Sequence, residues 1–176
     1  MPLAPDRTIA LVGLMGSGKS TIGRKLATAL SRPFLDADAE IEAAAGMSVS
    51  EIFSGLGEPA FRDGERRVIA RLLAGPAHVL ATGGGAFVQD DTRALLREGA
   101  VTVWLKCDLP TLAKRVARKD TRPLLKGRDA LEVLTAQAEA RYPAYAEADL
   151  MIETGDLPHG AAVDAVLTAL AAREAA

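Results

Sequence analysis

The chain has 176 residues, 49% of them hydrophobic, which is enough apolar side chain for the core of one compact domain. Its 21 Lys and Arg nearly balance its 23 Asp and Glu, giving a formal net charge of −2; this argues against a protein that coats nucleic acid or binds membranes through a basic surface. A single cysteine, Cys107, cannot form an intramolecular disulfide, so we expect it to be a small buried residue in a reducing, cytoplasmic environment.

Short apolar segments alternate with helical patterns along the chain. Strands are predicted at residues 8–12, 33–36, 78–82, 100–105 and 149–153, and helices at 19–31, 39–45, 58–73, 91–98, 109–118, 129–146 and from about 160. This alternation is typical of βαβ units, which build a parallel sheet with helices on both faces. We therefore predict an α/β fold with a five-stranded parallel sheet, in a single domain spanning residues 1–176.

Two apolar stretches, at residues 9–15 and 161–172, resemble signal or membrane segments at first sight. The first is too short to span a bilayer and runs into a glycine-rich turn. The second is interrupted by Asp164 and Thr168 at the spacing of one helical turn, which is typical of an amphipathic helix. We expect no membrane partner.

The first predicted strand leads into a phosphate-binding pattern. Residues 13–20, with the sequence GLMGSGKS, match G-x-x-x-x-G-K-[ST] at every fixed position. The glycines let consecutive backbone N–H groups turn toward an anion, and the following helix points its positive end at the phosphates. Lys19 is expected to reach the β- and γ-phosphates, and the Ser20 hydroxyl to bind Mg²⁺. A plain glycine-rich turn would explain the glycines, but not Lys19 and Ser20 in register.

The P-loop, residues 13–20, does not by itself distinguish a kinase from a switch GTPase or a motor. The chain is too short for the extra domains of a motor, and it lacks the base-reading N-K-x-D segment of switch GTPases. The third predicted strand runs into Gly83, Gly84 and Gly85 instead of ending in the acidic residue that commonly assists Mg²⁺. Asp36 and Asp38, at the end of the second strand, are the available substitutes.

Taken together, these segments resemble those of the shikimate kinases, which are P-loop kinases similar to the nucleoside monophosphate kinases. The matching segments are residues 13–21, Asp36-Ala37-Asp38, Phe61-Arg62 with Glu65, residues 82–85, Arg122-Pro123-Leu124-Leu125, and Arg141 with Tyr142 and Tyr145. They follow the order of the family from about residue 8 to residue 160. The resemblance implies that the γ-phosphoryl group of MgATP is transferred to the 3-hydroxyl of shikimate, a step toward chorismate and the aromatic amino acids.

The resemblance also implies an acceptor-binding region over about residues 36–65. In it, Arg62, together with Arg141 from a later helix, binds the acceptor carboxylate, because guanidinium groups match carboxylates in a bidentate way. Asp38 binds the ring hydroxyls and orients or deprotonates the attacking one. From its position before a helical stretch, Asp38 could instead be a helix N-cap.

The remaining acceptor and metal residues have supporting roles in this interpretation. The backbone of Gly83, Gly84 and Gly85 would approach the acceptor ring closely. Asp36 would hold Mg²⁺ through water or orient Ser20. Glu65, one helical turn after Arg62, could hold that guanidinium through an i,i+3 contact.

Residues 114–128 carry seven cations and one acid. Such a run is most often a solvated helix end, and the lack of interleaved aromatic residues argues against a nucleic-acid partner. Next to a P-loop it predicts a mobile lid over about residues 112–127, in which Arg122 stabilises charge on the transferring phosphoryl group. The resemblance implies that Arg115 stacks on adenine opposite Pro158, and Arg118 competes for the same role.

The predicted residues form two groups around the reacting phosphate. The ATP contacts are Gly16, Ser17, Gly18, Lys19, Ser20, Thr21, Arg115, Arg122 and Pro158, and the catalytic residues are Lys19, Asp38 and Arg122. The acceptor contacts are Asp38, Arg62, Gly83, Gly84, Gly85 and Arg141, with Ser20 and Asp36 at the metal. Two alternatives stay open: a kinase for another small acid such as gluconate, and a nucleotide-binding regulator that has no acceptor. A monomer is expected.

Overall fold

The computed structural model describes residues 7–118 and 129–175. Five strands form one parallel sheet in the order β2-β3-β1-β4-β5. The strands are β1 Thr8–Val12, β2 Phe34–Asp36, β3 Val79–Ala81, β4 Ala100–Lys106 and β5 Leu150–Glu153. The helices are α1 Lys19–Leu30, α2 Ala37–Ala45, α3 Val49–Leu56, α4 Glu58–Leu73, α5 Asp90–Gly99, α6 Leu109–Arg118, α7 Ala130–Tyr145 and α8 His159–Ala175. A short 3₁₀ turn, Ala86–Val88, follows β3. The predicted α/β fold with five parallel strands is confirmed.

Strand β1 lies in the middle of the sheet and is buried along its whole length. Successive residues of a strand face opposite sides of the sheet. Accordingly, Leu11 packs in a core with Leu26 of α1 and Val166 of α8, whereas Val12 packs in a second core with Leu112 of α6 and Leu134 of α7. Helices therefore cover both faces, which explains why the inner strands are almost continuously apolar.

The short helix α3 was not predicted. It begins after Ser48, whose hydroxyl accepts a hydrogen bond from the Glu51 N–H at 3.1 Å, while the Glu51 carboxylate accepts one from the Ser48 N–H at 3.3 Å. This reciprocal arrangement is a capping box, and the S-x-x-E pattern that produces it is present in the sequence. The helix matters for the site because Phe53, on α3, packs on Phe61 of α4 with ring centroids 4.6 Å apart.

Cys107 is a free cysteine with 2% of its surface exposed, so it is the small buried residue expected from the sequence. Within residues 7–118 and 129–175, no helix has the length and apolar character needed to cross a bilayer.

Candidate active site

A cavity of about 660 Å³ opens where the sheet strands end at their carboxyl side. Its walls come from the P-loop, from the start of α2, from the glycine run after β3 and from α6. The lining residues from the predicted set are Gly16, Gly18, Lys19, Ser20, Thr21, Asp36, Asp38, Gly83, Gly84, Arg115 and Arg118. The structure thus brings most of the predicted donor residues and half of the predicted acceptor residues to one place, as the topology of a parallel sheet favours. Arg62, Gly85 and Arg141 do not line this cavity in the described part of the chain.

The P-loop has the conformation that the sequence pattern predicts. Gly16 and Gly18 have φ angles of 82° and 93°, a region that side chains other than glycine rarely adopt. Gly18 is the N-cap of α1, and the first turn of that helix contains no acidic residue, so the N-terminal end of the helix presents positive charge to the cavity. The Lys19 ammonium donates to the carbonyls of Gly13 at 2.6 Å and Leu14 at 3.1 Å, which holds it against the loop.

Asp36 connects the P-loop to helix α2. One carboxylate oxygen accepts a hydrogen bond from the Ser20 hydroxyl at 3.1 Å. The other accepts from the N–H of Asp38 at 2.9 Å and of Ala39 at 3.3 Å, so that Asp36 is the N-cap of α2. The alternative that Asp38 is the cap is therefore wrong, because the helix begins two residues earlier than the sequence pattern predicts. Since Asp36 caps the helix, the Asp38 side chain is left to line the cavity.

The environment of Asp38 disfavours its charged form. Burial raises the pKa of this carboxyl, and the nearby Asp36 carboxylate raises it further, while the Lys19 ammonium acts in the opposite direction. Burial and a like charge both make ionisation less favourable. Asp38 is thus a stronger proton acceptor, when ionised, than an exposed aspartate.

The three consecutive glycines after β3 each lie against a different functional side chain. A Cβ atom placed on Gly83 would come within 3.0 Å of an Asp38 carboxylate oxygen. One on Gly84 would lie 2.8 Å from a guanidinium nitrogen of Arg141, and one on Gly85 would lie 2.8 Å from Cζ of Arg62. The run therefore lacks side chains because Asp38 from α2, Arg62 from α4 and Arg141 from α7 occupy that space.

Arg62 is held in place by its neighbours on α4. Its guanidinium bonds to a carboxylate oxygen of Glu65 at 2.7 Å, and Glu65 is only 1% exposed. Burial raises the pKa of Glu65, and the Arg62 charge opposes that rise. The guanidinium also lies 5.1 Å from the ring centroid of Phe61. The i,i+3 contact predicted between Arg62 and Glu65 is present.

Tyr145 is a site residue whose role the sequence did not reveal. It lies four residues after Arg141, at the end of α7, and its hydroxyl donates a short hydrogen bond to the carbonyl of Gly84. The side chain is completely buried, and burial raises its pKa to about 12. The four-residue spacing, which places both side chains on one face of a helix, is the pattern that could have suggested a shared role.

The expected adenine side of the cavity contains Arg115. Its guanidinium donates to the carbonyls of Gly16 and Gly155, each at 3.1 Å, and so links the P-loop to the segment between β5 and α8. Pro158, in the same segment, is exposed and does not line the cavity in the described part of the chain, whereas the next residue, His159, does. Arg118 also lines the cavity, so the geometry leaves both arginines available. Arg122 and most of the predicted lid lie outside the described residues.

Comparison with known proteins gives the family. The family model described as shikimate kinase matches residues 15–171. The chain belongs to the shikimate kinase family. The shikimate kinase of Caulobacter vibrioides (strain NA1000 / CB15N) is 69% identical over 170 residues, which cover 96% of this chain and 85% of the relative. The resemblance found in the sequence is therefore confirmed, and this family member is an ATP-dependent kinase.

Solved structures agree with the family at the level of the fold. The shikimate kinase from Acinetobacter baumannii, in complex with shikimate, superposes with a TM-score of 0.90 at 37% identity, covering 95% of this chain and 94% of that one. A gluconokinase from Sinorhizobium meliloti 1021 superposes with a TM-score of 0.64 at 21% identity, covering 95% and 93% of the two chains. At 21% identity, the similarity to the gluconokinase shows a shared fold and nothing more.

Proposed function

We propose that this shikimate kinase family member transfers the γ-phosphoryl group of MgATP to the 3-hydroxyl of shikimate, giving shikimate 3-phosphate and ADP. One observation carries the proposal: Asp38, Arg62 and Arg141 each lie against one of three consecutive glycines, and two of these glycines, together with Asp38, line the P-loop cavity. Shikimate has one carboxylate and three hydroxyl groups. The two guanidinium groups suit the carboxylate, and the Asp38 carboxylate suits the hydroxyls.

The donor site in this proposal is the P-loop. The backbone N–H groups of residues 16–21 and the Lys19 ammonium bind the phosphates. Arg115 stacks on adenine opposite Pro158, with Arg118 as the competing partner. The hydrogen bonds of Arg115 to Gly16 and Gly155 support this assignment, because they hold the guanidinium between the P-loop and the segment that leads to Pro158.

Mg²⁺ fits this donor set when it arrives with ATP. The described residues contain no group of three or more His, Cys, Asp or Glu side chains arranged around a metal position. Mg²⁺ in kinases typically keeps several waters, uses phosphate oxygens and takes only one or two protein ligands. The Ser20 hydroxyl would be a direct ligand, and Asp36, bonded to it at 3.1 Å, would hold metal-bound water or orient that hydroxyl. The ion would neutralise charge on the phosphates.

In the transfer step the acceptor oxygen forms a bond to the γ-phosphorus, and the bond between that phosphorus and the bridging oxygen of ADP breaks. Asp38 orients the hydroxyl or takes its proton, a role consistent with its raised pKa. Lys19 and Arg122 balance the negative charge that moves toward ADP. The proposed role of Arg122, and a lid over about residues 112–127 that closes to exclude water, rest on the basic segment and the R-P-L-L motif.

We also propose one kinase domain over residues 1–176 that acts as a cytoplasmic monomer, without nucleic-acid or membrane partners. The near-balanced charge and the buried free Cys107 support this. These points are independent of the catalytic proposal.

A coupled ADP-release assay with shikimate, quinate and gluconate, each offered separately, tests the proposal. We expect ADP release that depends on shikimate and is much slower with the other two acids. Turnover that ignores shikimate would contradict the proposal, and faster turnover with gluconate would establish the alternative acceptor. ATP binding without transfer to any of the three would favour a regulator.

A further inference from the structure

Tyr145 forms a polar link between α7 and the glycine run. Its hydroxyl donates to the Gly84 carbonyl, and its ring is fixed by packing, with the centroid 5.6 Å from that of Trp104 and 6.2 Å from that of Tyr142. Because the ring is completely buried in this aromatic cluster, the hydroxyl has little freedom to move. The direction of the Gly84 carbonyl is therefore set by the packing of α7 on the sheet.

Because the peptide group is planar, fixing the direction of the Gly84 carbonyl also fixes the direction of the Gly85 N–H. The carbonyl of Gly84 and the N–H of Gly85 belong to one trans peptide unit, and they point in opposite directions. A carbonyl held toward Tyr145 therefore turns the Gly85 N–H away from the aromatic cluster. Glycine has no Cβ to restrict rotation of such a peptide, so without the hydrogen bond little would fix its direction.

The Gly85 N–H has a property expected of a ligand-binding donor. Gly85 is buried, and its N–H has no acceptor among residues 7–118 and 129–175. Buried backbone N–H groups in proteins are nearly always paired. The same residue packs against Arg62, the proposed carboxylate-binding side chain. A carboxylate has enough lone pairs to accept from a guanidinium and a backbone N–H together.

We propose that Tyr145 is a positioning residue that acts through the Gly84 carbonyl to aim the Gly85 N–H at the carboxylate of the acceptor. This inference rests on the proposed function, since it takes shikimate as the acceptor. Tyr145 itself does not touch the substrate. Its hydroxyl selects one of the orientations that a glycine peptide can adopt, and α7 supplies both this hydroxyl and the Arg141 guanidinium.

Two single-atom deletions on α7 provide a matched pair. Tyr145→Phe keeps the ring and removes the hydroxyl, which bonds to the Gly84 carbonyl and also interacts with the Arg141 guanidinium. Tyr142→Phe removes the hydroxyl of the neighbouring tyrosine, whose ring makes aromatic and cation contacts but whose hydroxyl makes no hydrogen bond within the described residues. In steady-state assays we expect Tyr145→Phe to raise the KM for shikimate about 3- to 10-fold, as loss of one hydrogen bond predicts. The KM for ATP at saturating shikimate should stay within about twofold.

The Tyr142→Phe control and the melting temperatures of both variants separate a positioning role from a purely structural one. Tyr142→Phe should leave both KM values within about twofold of the wild type. A purely structural role for the Tyr145 hydroxyl would lower the melting temperature of Tyr145→Phe and leave its KM for shikimate unchanged. That result would overturn the inference.

A second measurement reports on the N–H directly and needs no variant. With [¹⁵N]glycine labelling, the 16 glycines give a small set of amide signals. Adding shikimate alone to the wild type should shift the Gly85 amide and protect it from hydrogen exchange, and in Tyr145→Phe this response should shrink even at saturating shikimate. A Tyr145→Phe enzyme with a raised KM but an unchanged Gly85 response would show that the hydroxyl acts through Arg141, and it would overturn the inference. A wild-type Gly85 amide that ignores bound shikimate would overturn the inference. A wild type that shows the response but transfers no phosphoryl group would contradict the proposed function and leave the role of Tyr145 intact.

Discussion

Replacing Gly85 with alanine tests the geometry of the acceptor site. The backbone at this position, with φ −99° and ψ −6°, is compatible with alanine. The new Cβ, however, would lie 2.8 Å from Cζ of Arg62 and 3.0 Å from one of its terminal nitrogens, where ordinary contact is 3.4–4 Å. The guanidinium must therefore withdraw from the glycine run, which its long side chain allows while the 2.7 Å bond to Glu65 is kept.

The expected loss is in acceptor binding and not in folding. Hydrogen bonds to charged groups contribute about 1.5–3 kcal/mol, and about 1.4 kcal/mol corresponds to a tenfold change in affinity. We therefore expect Gly85→Ala to raise the KM for shikimate by about 10- to 100-fold. Because the end of a long side chain can move, the free energy of unfolding should change by no more than about 1 kcal/mol.

Gly64→Ala is the matched control. Gly64 lies on α4, two residues after Arg62, and a Cβ placed there would have no neighbour within 4 Å. Alanine in a helix interior is about 0.5–1 kcal/mol more favourable than glycine, so this variant should be as stable as the wild type or more stable, with an unchanged KM. Initial rates from coupled ADP release and thermal unfolding provide both quantities. A Gly85→Ala enzyme with the wild-type KM for shikimate would refute the proposed placement of Arg62 against the acceptor.

Two further variants test the proposed chemistry. Asp38→Asn should lower kcat at least about 10³-fold without loss of fold. The pKa of Asp38 in the folded protein is raised above the ordinary 3.8. Ionisation of this carboxyl therefore lowers the stability of the wild type as the pH rises from 3.8 through the raised pKa. Denaturant titrations from pH 4 to pH 7 should therefore show Asp38→Asn gaining stability relative to the wild type as the pH rises. Rapid phosphoryl transfer by Asp38→Asn would remove Asp38 from the mechanism. Arg122→Ala should lower kcat about 10³-fold while the Kd for ATP changes little. An equal loss of kcat and of ATP affinity would argue against a role confined to the transferring phosphoryl group.

The sequence predicted best those features that are encoded locally. The pattern over residues 13–20 fixes both the residue types and their spacing, so Gly18, Lys19 and Ser20 lie where the motif predicts. The parallel sheet followed from the repeated alternation of short apolar strands with helices. The family resemblance, in turn, selected Arg62 and Arg141, which by themselves look like ordinary surface arginines.

Features that depend on exact boundaries or on distant contacts could not be predicted in this way. Whether Asp36 or Asp38 caps α2 depends on a two-residue difference in where the helix begins, and helix ends are the least certain part of a sequence pattern. The pairing of Gly84 with Arg141 and Tyr145 joins residues about 60 positions apart, for which one sequence contains no local pattern. Arg122 lies outside the described residues, and its role stays a prediction.

The packing of three glycines against three different side chains has a genetic consequence. A harmful substitution in a tight protein interior can often be rescued by a second change that trims the neighbour with which it collides. At residues 83–85 the colliding neighbours would be Asp38, Arg141 and Arg62, and in the proposed reaction trimming any of them removes a group that the acceptor needs. Selection for suppressors of an alanine in this run should therefore recover true revertants and few second-site mutations at these three positions.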